Sequence, residues 1–247
     1  MLTVKNLTYG IEGREILAQV QTHFRKGRMT AIVGPNGSGK STLLSFLSRD
    51  KPSRGNVFLE GRDVADIEAG EYARLVAVLP QQRETIADFF VKDVVVMGRF
   101  PYKEGFLDYT EEDRRIAAEA MEQAGVSAMA DRRISHMSGG EIQRVMIAKT
   151  LAQRSELVLL DEPTNHLDVK YKLALMKTLQ DYRGTVVMVL HDLSLAVAYC
   201  DDVIVMKKGR IAEQGPTGEI LRPDLLEGVF GVPFVRYEHE GRVYLNY

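Results

Sequence analysis

Two glycine-rich turns, a pair of adjacent carboxylates and a few isolated polar residues carry the chemistry legible in this chain. The first turn, IVGPNGSGKST at 32–42, fits G-x-x-x-x-G-K-[ST], with Gly34, Gly39, Lys40 and Ser41 at the fixed positions. It follows an apolar stretch and precedes a helix-like one, STLLSFL, which is the context the pattern requires. Glycines let a backbone wrap a phosphate with no Cβ in the way. Pro35, Asn36, Gly37, Ser38 and Thr42 complete the loop, whose N–H groups and helix N-terminus are expected to face a nucleotide's β-phosphate. Lys40 is expected to bridge the β- and γ-phosphates, and Ser41 to place its hydroxyl on Mg²⁺.

Well over a hundred residues later, at Leu157, begins LVLLDEPTNHLD, an apolar strand ending in Asp161 and Glu162. A carboxylate at the end of a buried strand is well placed for a metal in an α/β sheet. Asp161 is therefore assigned to Mg²⁺. Glu162, on the other side of the pleat by the period of two, is assigned to the water that attacks the γ-phosphate, where a general base is worth roughly 10²–10⁴-fold. Gln81 ends the strand LVAVLP and is placed to sense Mg²⁺ or that water; His191 ends TVVMVL and is placed to bond the γ-phosphate. Tyr9, in LTYG, is assigned to stacking on adenine. Taken alone, an ordinary loop or strand residue fits each of these last three positions as well. The second glycine turn is MSGGEIQR at 137–144. A Ser-Gly-Gly turn at a helix start also aims N–H groups at an anion, so the chain carries two phosphate-type turns. Ile142, Val145 and Met146 recur at the spacing of one buried helix face.

The elements that position these residues alternate. Strands are expected at 17–24, 30–33, 55–59, 75–79, 157–160 and 185–190, with helices over VKDVVVMGR and TEEDRRIAAEAMEQAG around a loop, FPYKEGFLDY. Thr110 with Asp113 reads as an N-terminal capping box. Strands alternating with helices argue for an α/β core with a largely parallel sheet, interrupted by a helical insertion. The expected division is an α/β core with its β subdomain at 1–84 and 154–222, a helical subdomain at 85–153, and a tail at 223–247 that packs on the core and turns as a hairpin at EHEG.

The bulk properties narrow the function classes. The chain has 247 residues, enough for one body or two joined lobes. Its net charge is −2, so no general basic field marks nucleic acid as a partner. The lone cysteine, Cys200, cannot form an internal disulfide, which favours a reducing compartment. No apolar run approaches the roughly 20 residues that cross a bilayer.

Together, the phosphate loop, Gln81, MSGGE, Asp161–Glu162, NHLD at 165–168 and His191 resemble, in order, the motifs of the ATP-binding cassette family of nucleotide-binding subunits. The resemblance covers nearly the whole chain. It implies a P-loop NTPase (RecA-like) α/β core with an N-terminal antiparallel β subdomain and an inserted α-helical subdomain. It implies ATP and Mg²⁺, and hydrolysis of the ATP. It also accounts for the second turn. In this family two subunits pack head to tail, so Ser138, Gly139 and Gly140 are expected to serve a nucleotide on a second copy, with Asp168 at that interface. Met137 stands where the family usually has Leu, and Ile142 where Arg or Gln is common.

The finer resemblance is to the ATPases of iron–siderophore, haem and vitamin B12 importers, carried by MGRFPY at 97–102, EPTNHLD and VLHDLSLA, and most of all to the iron–siderophore members. It implies an integral membrane permease as partner, a substrate-binding protein acting indirectly, and a cytoplasmic subunit held at the inner face of the membrane. Phe89, Phe90, Phe100, Pro101 and Tyr102 offer aromatic anchors for a permease helix, and packing within the helical lobe would use the same residues. The alternative is a soluble cassette ATPase serving an assembly machine such as iron–sulfur cluster biogenesis; GRFPY and HDLSLA argue against it.

Overall fold

The computed structural model describes residues 1–81, 88–103, 105, 108–239 and 242–246. They form two compact units, Met1–Ile67 with Arg183–Tyr247, and Glu68–Tyr182. The expected boundary at 84/85 and the tip of the EHEG turn lie outside the described residues.

The first unit begins with β1 (Leu2–Ile11) and β2 (Arg14–Phe24), an antiparallel pair whose register shifts three times between Val4 and Gly10. Leu2, Val4 and Leu7 on one strand and Leu17, Val20 and Phe24 on the other are almost wholly buried. β3 (Met29–Val33) is buried at all five positions, as a parallel strand covered on both faces must be. The phosphate loop leads from it into α1 (Lys40–Leu47). β4 (Val57–Leu59) and β5 (Arg62–Asp63) complete an antiparallel sheet of order β2-β1-β4-β5. This is the antiparallel β subdomain the resemblance implied.

The second unit opens with α2 (Ala69–Leu75), which the sequence did not announce, and β6 (Val76–Leu79). Glu68 caps α2, its carboxylate accepting the Glu71 N–H at 2.8 Å. The expected strand at 75–79 thus starts one residue later, because Leu75 closes the helix. α3 (Val91–Val96) runs into a 3-10 turn at Met97–Tyr102. α4 (Glu111–Gln123) starts with the anticipated capping box of Thr110 and Asp113. α5 (Gly139–Ala152) follows. Its buried side is Val145, Ile147, Ala148 and Leu151 with Arg144 and Thr150, whereas Ile142 and Met146 are only half-buried. The helix is enclosed over a wider arc than one amphipathic stripe, so a single i, i+3, i+4 face misplaces the core. β7 (Leu157–Asp161) lies parallel to β6, and α6 (Val169–Gln180) closes the unit.

The chain then returns to the first unit. β8 (Thr185–Val189) pairs in parallel with β3; α7 (Leu193–Tyr199) leads to β9 (Asp202–Lys207), on β3's other side, and β10 (Arg210–Pro216) pairs antiparallel with β9. The strand order there is β10-β9-β3-β8. α8 (Thr217–Ile220) and α9 (Pro223–Phe230) precede a hairpin of β11 (Val235–His239) and β12 (Arg242–Asn246). The α/β architecture with its P-loop core is the expected fold class. Among the described residues no helix is long and apolar enough to cross a membrane.

Candidate functional site

In the first unit the loop after β3 is shaped by its glycines. Gly34 has φ 152°, and a Cβ there would lie 2.2 Å from the Met206 carbonyl oxygen. Gly39, with φ 102°, stands at the N-terminus of α1, where a Cβ would meet Leu17 Cδ2 at 2.7 Å. At Gly34 a side chain would press on backbone, and at Gly39 the left-handed φ itself disfavours any side chain. Lys40 is 5% exposed, and its ammonium donates to the carbonyls of Gly34 at 2.9 Å and Pro35 at 3.0 Å. A buried lysine is uncommon, and this one sits inside the loop that it would use to hold a phosphate. Ser38 is 3% exposed, and its Oγ has no hydrogen-bond partner among the described residues. An orphaned buried hydroxyl calls for an explanation. Together with a helix N-terminus that no side chain caps, it fits an anionic ligand. Asn36 and Gly37 are exposed, while Ser41 and Thr42 are half-buried at the start of α1.

The same helix fixes Tyr9. Phe46 of α1 meets its ring edge-on with centroids 5.1 Å apart, and Lys51 bonds the phenol oxygen at 3.1 Å. Neither contact was legible from LTYG alone. His191 is exposed just past β8. It lines a cavity of about 740 Å³ with Asp192, Phe230, Phe234 and Asn246.

In the second unit β7 is buried throughout, and Asp161 ends it at 8% exposure. Glu162 departs from the sequence reading of its direction. It has left the strand and turned to φ 50°, so a left-handed turn, not pleat alternation, sets where its carboxylate points. Asn165 holds it there: its side-chain amide donates to Glu162 Oε2, and its backbone N–H reaches the Glu162 carbonyl at 3.1 Å. Asp168 caps α6 by accepting the Tyr171 N–H at 3.1 Å. Gln81 is exposed just past β6.

The serine–glycine turn is built differently from the phosphate loop. Ser138 N–H donates to Glu141 Oε2 at 2.7 Å, and Glu141 N–H returns to Ser138 Oγ at 3.3 Å, a reciprocal capping box. The Ser138 backbone N–H first, then the Ser138 hydroxyl, hold the Glu141 carboxyl below its ordinary range, with Arg132 adding to them. A Cβ on Gly140 would approach the His166 carbonyl oxygen to 2.7 Å, so the turn packs directly on the NHLD segment. Glu141 went unassigned in the sequence reading, although S-x-x-E is itself the capping-box pattern. The structure thus gathers the phosphate loop, Tyr9 and His191 in one unit, and Gln81, Asp161, Glu162, Asp168 and the serine–glycine turn in the other.

Comparison with known proteins places this assembly. The family model described as ABC transporter matches residues 17–165. The iron(3+)-hydroxamate import ATP-binding protein FhuC of Bacillus subtilis (strain 168) is 38% identical over 94% of this chain and 88% of its own length. The hemin import ATP-binding protein HmuV of Rhodococcus jostii (strain RHA1) is 43% identical over 92% of this chain and 78% of its own. Among solved structures, a dimeric ATP-binding cassette in a post-hydrolysis state with ADP and Pi superposes with a TM-score of 0.77. It is 27% identical and covers 88% of this chain and 99% of that one. The chain belongs to the ABC transporter family.

Proposed function

We propose that this chain is the ATP-hydrolysing subunit of a membrane importer for an iron chelate, of the ferric hydroxamate or haem class. The observation that carries the reading is the likeness, over most of their length, to ATP-binding proteins named for import of iron(3+)-hydroxamate and hemin. The phosphate cradle, with its orphaned Ser38 hydroxyl and enclosed Lys40 ammonium, supplies the physical basis for ATP.

Lys40 leaves its loop carbonyls to take the β- and γ-phosphates, and the N–H groups at the start of α1 take the charge that remains. Tyr9, braced by Phe46, stacks on the adenine. Ser41, Gln81 and Asp161 carry a hydroxyl, an amide and a carboxylate oxygen, hard donors of the kind Mg²⁺ takes; these residues would hold the ion, and it would supply charge neutralisation for the phosphates. Glu162, fixed by Asn165, takes the proton of the attacking water, and His191 bonds the γ-phosphate. Ser138, Gly139, Gly140 and Asp168 serve the ATP of a second copy packed head to tail, a reading the dimeric relative supports. Phe100 and Tyr102, 70% and 36% exposed, anchor the permease, which holds the subunit at the cytoplasmic face of the membrane.

The test is a tagged pull-down from detergent-solubilised native membranes, followed by uptake of ferric hydroxamate and of haem into vesicles containing the recovered complex. A polytopic membrane protein and ATP-dependent uptake of one chelate are expected. Recovery of soluble scaffold proteins alone would overturn the importer reading and favour the assembly-machine alternative.

A further inference from the structure

Arg99 lies in the MGRFPY segment, flanked by Gly98 and the exposed Phe100. It is 8% exposed, and the function above gives this buried cation no task. Its guanidinium makes three kinds of contact. Nη1 donates to the carbonyls of Ala152 and Gln153, both at 3.1 Å, where α5 ends. Nε pairs with Asp113 Oδ1 at 3.0 Å, the residue that closes the capping box of α4. The guanidinium carbon lies 3.9 Å from the Tyr102 ring centroid. One side chain therefore ties the end of α5, the start of α4 and an exposed aromatic. A cation at a helix C-terminus also meets the negative end of its macrodipole.

The joint admits little slack. A Cβ on Gly98 would fall 2.2 Å from the Lys149 carbonyl oxygen, so the segment lies directly on the α5 backbone. Gln153, whose carbonyl Arg99 holds, donates its side-chain amide to the carbonyls of Ala73 and Val76. Val76 is the first residue of β6, the strand that leads to Gln81. At the other end of α5, about 21 Å away for 14 residues, stand Ser138 and Gly140. Helices and strands act as rods in such networks. The segment also touches α2 directly, since the Tyr102 hydroxyl donates to the Arg74 carbonyl at 3.3 Å. The Arg99 guanidinium alone among these contacts bonds the end of α5 and the start of α4 together, with a path to Gln81 through Gln153 and β6 and to the serine–glycine turn along α5.

We propose that Arg99, with Gln153 as its relay, is the positioning residue that couples an integral membrane partner bound at Phe100 and Tyr102 to the ATP-handling residues Gln81 and Ser138–Gly140. This rests on the importer reading above. Lysine cannot span both carbonyls, the carboxylate and the ring at once, because it lacks the planar fork.

The test uses the chain co-purified with its membrane partner and the chain alone, in parental, Arg99→Lys, Arg99→Met and Gln153→Met forms. Steady-state ATP turnover, KM for ATP and melting temperature are recorded for each. The parental protein comes first: if its turnover does not change when the membrane partner is present, the importer reading fails before the coupling is examined. Given that stimulation, Arg99→Lys is expected to keep KM for ATP and the partner-free turnover within about twofold. The ratio of stimulated to partner-free turnover should fall about tenfold, with Gln153→Met following in the same direction. Retention of the parental ratio in Arg99→Lys and Gln153→Met overturns the proposal. So does a loss of stimulated and partner-free turnover in equal proportion, which marks a purely structural arginine. Failure of all three variants to fold also overturns it, since the joint then serves the fold alone.

Discussion

The two glycine turns look alike as strings, yet they end in opposite states. The phosphate loop leads into α1 with no side-chain cap, and it encloses a hydroxyl that bonds nothing among the described residues. The serine–glycine turn starts α5 with a complete capping box, a carboxylate supported by Arg132, and a glycine seated on the His166 carbonyl. An uncapped N-terminus is a donor set waiting for an anion. A capping box satisfies two of the four donors at a helix start and holds the turn in shape without a ligand. The contrast bears on the division of labour proposed above: an uncapped, glycine-shaped cradle suits the capture of a phosphate, and a turn braced by its own capping box suits a surface presented to a second copy.

Substitutions can break the comparison, and the largest effect is expected at the reacting water. Glu162→Gln should keep ATP binding and lower turnover about 10²–10⁴-fold, read as phosphate release; parental turnover would refute its role as base. Lys40→Met comes next. It removes the charged donor from the cradle, worth about 1.5–3 kcal/mol, so the ATP affinity of the isolated chain should fall roughly 10–100-fold by nucleotide fluorescence. Gly140→Ala sharpens the contrast. Its Cβ would press on the His166 carbonyl, and overpacking of that kind costs about 1–3 kcal/mol of denaturant stability. ATP binding by the isolated chain should nevertheless stay within about twofold, because Gly140 belongs to the turn proposed to serve a second copy. The smallest effect concerns pH. The Glu141 carboxyl is held below its ordinary value of 4.5. Its contribution is therefore full above that value and lost as pH falls through the lower, folded one. Titration of the carboxyl by NMR should place its midpoint below 4.5, and Glu141→Gln should remove the corresponding acid weakening of α5's first turn.

What could be read in advance follows the range of each interaction. The phosphate loop and the Thr110–Asp113 box are local patterns, a few residues long, and their spacing states their geometry. The α/β class followed from apolar runs such as 30–33 and 185–190, because fully buried parallel strands leave a continuous signature. Glu162 escaped because pleat alternation ends with the strand, and the next residue turned left-handed to meet Asn165. Helix α2 escaped because seven residues carry too little periodicity to stand out. Tyr9's brace on Phe46 and Arg99's bonds to Ala152 and Gln153 join residues far apart in the chain. No local pattern encodes such pairs, since only the folded backbone brings them together.

The central claim is that one turn captures ATP for its own chain while the other serves a second copy, and mixing two defective chains tests it most directly. Lys40→Met damages the capturing loop, and Ser138→Arg fills the serving turn. Each variant alone should be nearly inactive, because both sites of either homodimer carry a lesion. In an equal mixture, about half the dimers pair one chain of each kind, and each such dimer holds one intact site. The mixture should therefore recover about a quarter of parental ATP turnover. A mixture no more active than the sum of its two components would show that both turns act on the same chain's nucleotide, and would contradict the account.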